Sequence, residues 1–207
     1  VKKIISIVEE FITKKKCICY GGTAINNILP ISQQFYNKSI ELPDYDFYST
    51  KALDHAKELA DIYKEEGFSE IEAKAGVHFG TYKVFVNFIP VADITQLNRE
   101  IFNKIKADAI TVNKILYAPP NFLRMSMYLE LSRPKGDVSR WEKVLKRLTL
   151  LNKNYPIKTF KCNLKQQFQR EFHIPIHNIE KLYNIIKKAF IDMKLVFFGG
   201  YANVLYS

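Results

Sequence analysis

Apolar residues recur at helical spacing over residues 4–11, where Ile4, Ile5, Val8 and Phe11 share one side and predict an opening helix. Lys14, Lys15 and Lys16 break that pattern, and residues 17–20 form a short apolar run suited to a strand. Gly21-Gly22 turns the chain, and residues 23–29 predict a helix stopped by Pro30, because proline lacks the amide a helix interior needs. Residues 32–42 are a polar link, longer than a tight turn requires. A second strand is predicted over 45–48. Thr50 is placed to cap a helix over 51–66, with Leu53, Ala56, Ala60 and Tyr63 as its apolar side and Gly67 as its stop. Residues 68–75 partly alternate as a strand, 76–80 turn, and 82–88 give a third long strand. Pro90 allows an edge or a bend, after which 91–94 continue extended. The expected sum is an α+β domain with a small mixed β-sheet over residues 1–98.

From Gln96 onward the spacing turns helical. Leu97, Ile101 and Ile105 align, as do Leu123, Met127 and Leu131 after Pro119-Pro120. Helices are also predicted over 139–151, with Trp141, Val144, Leu145, Leu148 and Leu151 apolar, and over 178–193, with Leu182, Ile185, Ile186 and Ala189. Residues 99–193 are therefore expected to be mainly helical and to complete a cleft. Residues 195–198 return to strand and meet Gly199-Gly200. Tyr20-Gly21-Gly22-Thr23-Ala24 and Phe198-Gly199-Gly200-Tyr201-Ala202 share an aromatic residue, Gly-Gly-x-Ala, then asparagine and an apolar run. That likeness predicts an internal repeat, with residues 194–207 opening a second domain of the same kind. A chain that stops just after a motif begins is expected to be a fragment.

Composition narrows the class. Of 207 residues, 47% are hydrophobic, so a packed core is expected rather than global disorder. A net charge of +10, from 31 Lys+Arg against 21 Asp+Glu, suits a polyanionic partner and says nothing about fold. Cys17, Cys19 and Cys162 make no disulfide framework, and Cys17 with Cys19 would face the same side of a strand as core thiols. The apolar run 85–92 is too short to span a bilayer, so no membrane partner is expected.

Asp44 and Asp46 carry the chemistry. Side chains two apart in a strand face the same way, so both carboxylates would converge on one spot while Tyr45 and Phe47 face the other. A third carboxylate could complete a site for two divalent ions. Asp93 in Val91-Ala-Asp-Ile-Thr95 is the best choice and Glu72 a weaker one. Gly21 and Gly22 would let the backbone approach a phosphate, with the first helical amides and the Thr23 hydroxyl as donors. Lys143 and Arg147 lie one helical turn apart and could balance a triphosphate. Arg124, Arg140, Lys146, Lys161 and Lys165, interleaved with Tyr155, Phe160 and Phe168, fit a single-stranded nucleic-acid track, or equally a basic surface over aromatic core residues. His55, His78, His173 and His177 have no convincing zinc spacing.

These residues resemble the nucleotidyltransferase superfamily that contains DNA polymerase β and the poly(A) polymerases. That family carries Gly-Gly or Gly-Ser before a helix, Asp-x-Asp on the next strand and a third Asp on a later strand, matching Gly21-Gly22, Asp44 with Asp46, and Asp93. The resemblance is strongest to poly(A) polymerase catalytic subunits of large cytoplasmic DNA viruses, of the giant-virus kind. It runs through Tyr20-Gly-Gly-Thr-Ala-Ile-Asn26, Pro43-Asp-Tyr-Asp-Phe-Tyr-Ser49, Gly80-Thr-Tyr-Lys-Val84 and Leu123-Arg-Met-Ser-Met127 to Trp141. The longer link over 32–41 must then loop out. The resemblance implies a nucleotidyltransferase fold, two tandem domains, ATP as donor, an RNA 3′ end as acceptor, and two Mg2+ or Mn2+ ions on Asp44, Asp46 and Asp93. It further implies nucleotide contacts from Gly21, Gly22, Thr23, Asn26, Lys143 and Arg147. A viral enzyme of this kind would work in the host cytoplasm or a viral factory, with packaging in the virion, a homodimer, and a processivity or capping partner as further expectations. Two other functions stay open at this point: another nucleotidyltransferase acting on a tRNA end or a small molecule, and a non-catalytic RNA-binding scaffold that keeps the fold.

Overall fold

The N-terminal apolar stripe forms α1 (Lys2–Lys15), which buries Ile4, Val8, Phe11 and Ile12. A computed structural model describes residues 2–36, 44–133, 136–157, 176–200 and 202. After α1 come β1 (Ile18–Cys19), α2 (Gly21–Ile28), a 3-10 turn (Ile31–Gln33), β2 (Tyr45–Ser49) and α3 (Ala52–Glu65). Next follow β3 (Ile71–Ala75), β4 (Thr81–Val86), β5 (Ile89–Gln96) and α4 (Arg99–Ala107). The first unit, Val1–Lys158, closes with β6 (Ile110–Val112), β7 (Ile115–Tyr117), α5 (Pro120–Leu131) and α6 (Trp141–Asn154). The second unit, Thr159–Ser207, contains α7 (Ile176–Asp192).

One mixed seven-stranded sheet organises the first unit, in the order β3-β4-β5-β2-β1-β7-β6. β2 runs parallel to β5 and antiparallel to β1, and β1 runs parallel to β7. The expected mixed sheet is present, and it continues past residue 98. β6 and β7 are three residues each and too short to show a period, which is why the helical spacing around them masked the strands.

Alternation along β2 divides the two faces. Tyr45 and Phe47 are fully buried on the side of α1, where the Tyr45 hydroxyl donates to Glu9 and the Phe11 and Phe47 rings lie 6.4 Å apart. The opposite face carries Asp46 and Tyr48, and Phe122 of α5 meets the Tyr48 ring edge-on at 5.8 Å. Two helical stripes differ from expectation. α3 buries Ala52, Ala56, Leu59 and Tyr63 and leaves Leu53 exposed, because the row 52-56-59-63 packs on the core in place of the row through 53 and 60. Its start is held by Gln96 Oε1, which accepts from the Ala52 amide, instead of by Thr50. Residues 195–198, expected as a strand, form none, although Gly199 takes a φ of +76°, close to the +69° of Gly21.

α5 and α6 are joined by a buried guanidinium. Arg124 is 3% exposed and its nitrogens donate to Asn152 Oδ1 at 2.6 Å, to Asn121 Oδ1 and to the Tyr155 carbonyl. Truncating it removes three hydrogen bonds of one buried guanidinium and leaves a gap between the two helices. Arg124→Ala is expected to cost about 3 kcal/mol, read as a lower urea midpoint of the first unit at an unchanged slope. No helix among the described residues is long and apolar enough to cross a membrane.

Candidate active site

Parallel pairing of β2 with β5 sets Asp46 directly beside Asp93, and Asp44 precedes β2 by one residue on the same side. Ligand oxygens of Asp44, Asp46 and Asp93 all lie within 4.8 Å of one another. Three like charges this close repel strongly unless a cation joins them. Burial, then Asp44 and Asp93, push the Asp46 carboxyl up to about 7, against the opposing charges of Lys83 and Arg140. Asp44 sits at the rim, where shielding from water and the nearby Asp93 charge also raise its carboxyl. Asp93 Oδ1 is buried with no hydrogen-bond partner. An all-carboxylate donor set with an orphaned buried oxygen fits a hard divalent cation such as Mg2+ or Mn2+.

The glycine turn packs against this cluster. Gly21 has φ +69°, and a Cβ built there would lie 2.3 Å from Asp46 Oδ2. A Cβ on Gly22 would lie 2.5 Å from Tyr36 Oη and 2.8 Å from Arg147 Nη1. Both glycines therefore let backbone run against side chains of the cleft. α2 starts at Gly21, and Tyr20 before it offers no side-chain cap. The Tyr20 amide donates to the Asp46 carbonyl at 2.9 Å, and the Thr23 hydroxyl donates to the Asp44 carbonyl at 2.7 Å. Thr23 thus fastens the helix to the Asp-bearing segment from a buried position, with its hydroxyl already committed.

Arg147, on α6, stacks over Phe35 at 4.8 Å and Tyr36 at 5.5 Å, and donates to Tyr36 Oη at 2.8 Å. Lys143 lies one turn earlier on α6 and is exposed. Arg140 pairs with Glu130 at 3.2 Å. Lys146 pairs with Glu142 at 2.7 Å on the exposed side of α6. Two expected contacts sit elsewhere. Asn26 is 1% exposed, and its Oδ1 accepts from the Phe35 and Tyr36 amides, so it shapes the turn that carries Tyr36. Arg124 is spent inside the α5–α6 joint and leaves no guanidinium surface for RNA. Glu72 is exposed on the edge strand β3 and paired with Lys74, apart from the cluster. Lys161 and Lys165 lie outside the described residues.

The sequence did not point to five neighbours. Lys83 on β4 faces Asp93 in register, and its ammonium donates to Asp93 Oδ2 at 2.5 Å. Burial alone would lower the Lys83 ammonium, but that hydrogen bond and the three carboxylates outweigh it and leave it raised. One step further along the strands, the Tyr20 and Tyr48 rings stack at 4.0 Å. The Thr95 hydroxyl links to the Tyr20 hydroxyl at 2.8 Å and to the Thr81 hydroxyl at 2.9 Å. Period-two alternation along β2, β4 and β5 puts Tyr48, Lys83, Thr81 and Thr95 on the Asp face, but only the register between strands brings them together.

Residues 6–137 match the family described as poly(A) polymerase catalytic subunit. A protein of that name from African swine fever virus is 34% identical over 163 residues, covering 76% of this chain and 34% of that protein. One from Acanthamoeba polyphaga mimivirus is 30% identical over 200 residues, covering 94% of this chain and 32% of that protein. The chain thus spans about a third of the length of the curated relatives it matches. A crystal structure of the Megavirus polyadenylate synthase superposes with a TM-score of 0.72 at 27% identity, covering 91% of this chain and 37% of that one. The JHP933 protein of Helicobacter pylori shares the fold, with a TM-score of 0.52 at 12% identity over 74% of this chain and 65% of that one.

Proposed function

The chain belongs to the poly(A) polymerase catalytic subunit family, and from that premise we propose that it forms the catalytic part of a polynucleotide adenylyltransferase. The substrates are ATP and an RNA 3′ end. The observation that carries this is the convergence of Asp44, Asp46 and Asp93 within 4.8 Å, beside a glycine turn with no room for a side chain. Asp44, Asp46 and Asp93 would hold two Mg2+ or Mn2+ ions, which lower the pKa of the attacking hydroxyl and neutralise leaving pyrophosphate.

The chain's own groups supply placement and charge. Asp93 orients the terminal 3′-hydroxyl and receives or relays its proton. The 3′-oxygen then bonds the α-phosphorus of ATP as the bond from that phosphorus to the bridging oxygen breaks, and pyrophosphate departs. The amides of Gly21 and Gly22 opening α2, together with Arg147 and Lys143, receive the triphosphate. Arg147→Ala is expected to raise KM for ATP about tenfold with a smaller change in kcat, since a guanidinium on phosphate serves mainly binding. Steady-state kinetics on an oligo(A) primer check that split. The matching backbone at Gly199 and Gly21 supports residues 194–207 as the opening of a second, related domain.

Primer extension by the intact protein, with each of four nucleoside triphosphates and with oligo(A), tRNA and small-molecule acceptors, tests the assignment. Metal-dependent incorporation of AMP on oligo(A) is expected. Transfer only to another acceptor would move the protein to a different reaction of the same chemistry. Absence of metal-dependent ATP binding in calorimetry would leave a scaffold.

A further inference from the structure

We infer that Lys83 is the resident counter-cation of the carboxylate cluster, and that a divalent ion enters by exchanging for its ammonium group on Asp93. This rests on the metal-binding role proposed above for Asp44, Asp46 and Asp93.

Register supplies the first support. Lys83 and Asp93 are direct partners across the antiparallel β4–β5 pair, so the ammonium is delivered to the cluster by the sheet itself. Its 2.5 Å contact takes Asp93 Oδ2, while Oδ1 of the same carboxylate stays buried and unpartnered. The carboxylate that has to bridge to Asp44 and Asp46 is therefore engaged by a cation on one side and unsatisfied on the other. Reach supplies the second. Lys83 bonds Asp93, and its charge also acts on Asp44 and Asp46. Arg140 acts on Asp46 but is bonded to Glu130. Mobility supplies the third. The Lys83 side chain is 31% exposed, on a flexible four-carbon stem, so the ammonium can leave for water while its strand stays fixed.

A compact ammonium and a hard divalent ion seek the same carboxylate oxygens. In the resting site Lys83 offsets part of the repulsion among the three aspartates and keeps them assembled. When the ion arrives, two positive centres on one carboxylate oppose each other, and the flexible one yields. Lys83 is thus a positioning residue that sets how tightly the site takes its metal. It needs no contact with nucleotide or RNA to do so.

Mn2+ binding to the chain, followed by the paramagnetic resonance of the free ion at pH 7.5, provides the test. Lys83→Met is expected to bind Mn2+ about tenfold more tightly than the unmodified chain, because a unit charge a few ångströms away no longer competes. Lys83→Arg, which keeps the charge, should restore the original affinity. In EDTA Lys83→Met should melt lower and then gain more from added Mn2+. Lys83→Gln serves as a second neutral variant should the methionine variant fail to fold. Mn2+ affinity that is unchanged or weaker in the neutral variants overturns the exchange. If the unmodified chain shows no Mn2+ binding that Asp46→Asn removes, the metal role of the cluster falls as well, and the two failures are told apart by that control.

Discussion

Asp46→Asn is expected to lower adenylyl transfer by a hundredfold or more while leaving the metal-free protein more stable at pH 8. A catalytic-site donor aimed at developing charge is commonly worth about 10²–10³ in rate, and loss of a metal-binding carboxylate belongs in that range. The stability gain comes from burial and like charges. The Asp46 carboxyl is pushed up to about 7, first by burial and then by Asp44 and Asp93, from an unfolded value near 3.8. A raised carboxyl gives full stability below the unfolded value and loses it as pH rises through the folded one. In EDTA, the unmodified protein should therefore lose stability steadily from about pH 4 to pH 7, and the loss should reach roughly 2–4 kcal/mol. Asn at this position carries no charge to desolvate, so its melting curve should stay flatter across that window. Thermal melts at pH 4 and pH 8 in EDTA, with primer extension alongside, check both halves. An Asp46→Asn protein that is inactive because it melts earlier than the unmodified chain at pH 8 would contradict this account.

Gly21→Ala is expected to abolish transfer to the same degree and, in contrast, to destabilise the fold. Its backbone sits at φ +69°, where an L side chain costs about 1–2 kcal/mol. The added methyl would also fall 2.3 Å from Asp46 Oδ2, 3.1 Å from Cγ and 3.3 Å from Cβ. The Asp46 strand is pinned on both sides by pairing, so its backbone cannot retreat from the added methyl. Either the turn opens or the carboxylate leaves the cluster, and both end catalysis. A double-mutant cycle separates the two costs. In an Asp46→Ala background the Oδ2 and Cγ clashes vanish, so Gly21→Ala should cost only its backbone part. Equal costs in both backgrounds would mean that the close approach to Asp46 has no energetic consequence.

Much of this site is legible in the sequence, because its signals are local. Asp44 and Asp46 are two apart in an apolar run, and strand geometry alone turns that spacing into a shared face. Gly21-Gly22 between an apolar run and a helical run marks a turn that needs backbone freedom. Asp93 followed from its place in an extended run. The unreadable parts depend on partners far along the chain. Lys83 meets Asp93 only because β4 and β5 pair in one register out of several. Arg124 looks like a surface base beside Leu123, yet its acceptors come from Asn152 and Tyr155 on the far side of a loop. Asn26 sits in the motif expected to touch nucleotide, but the turn at Phe35 and Tyr36 returns to claim its oxygen. In α3 two neighbouring rows, 52-56-59-63 and 53-56-60-63, are both apolar, and only packing against the sheet selects the first and leaves Leu53 exposed.

β1 contributes only Ile18 and Cys19, and those two residues are the whole seam between the β2 side and the β7 side of the sheet. Asp44, Asp46, Asp93 and Lys83 all lie on the β2 side. Beyond that short pairing, β7 is held by its buried Ile115 and Tyr117 side chains and by the hydrogen bond that Asn27 donates to the Tyr117 hydroxyl at 2.9 Å, so parting the joint means breaking these as well. Cys19, fully buried at that joint, becomes reachable only when it parts, so the pace at which a thiol reagent finds this sulfur would measure how often the two plates separate.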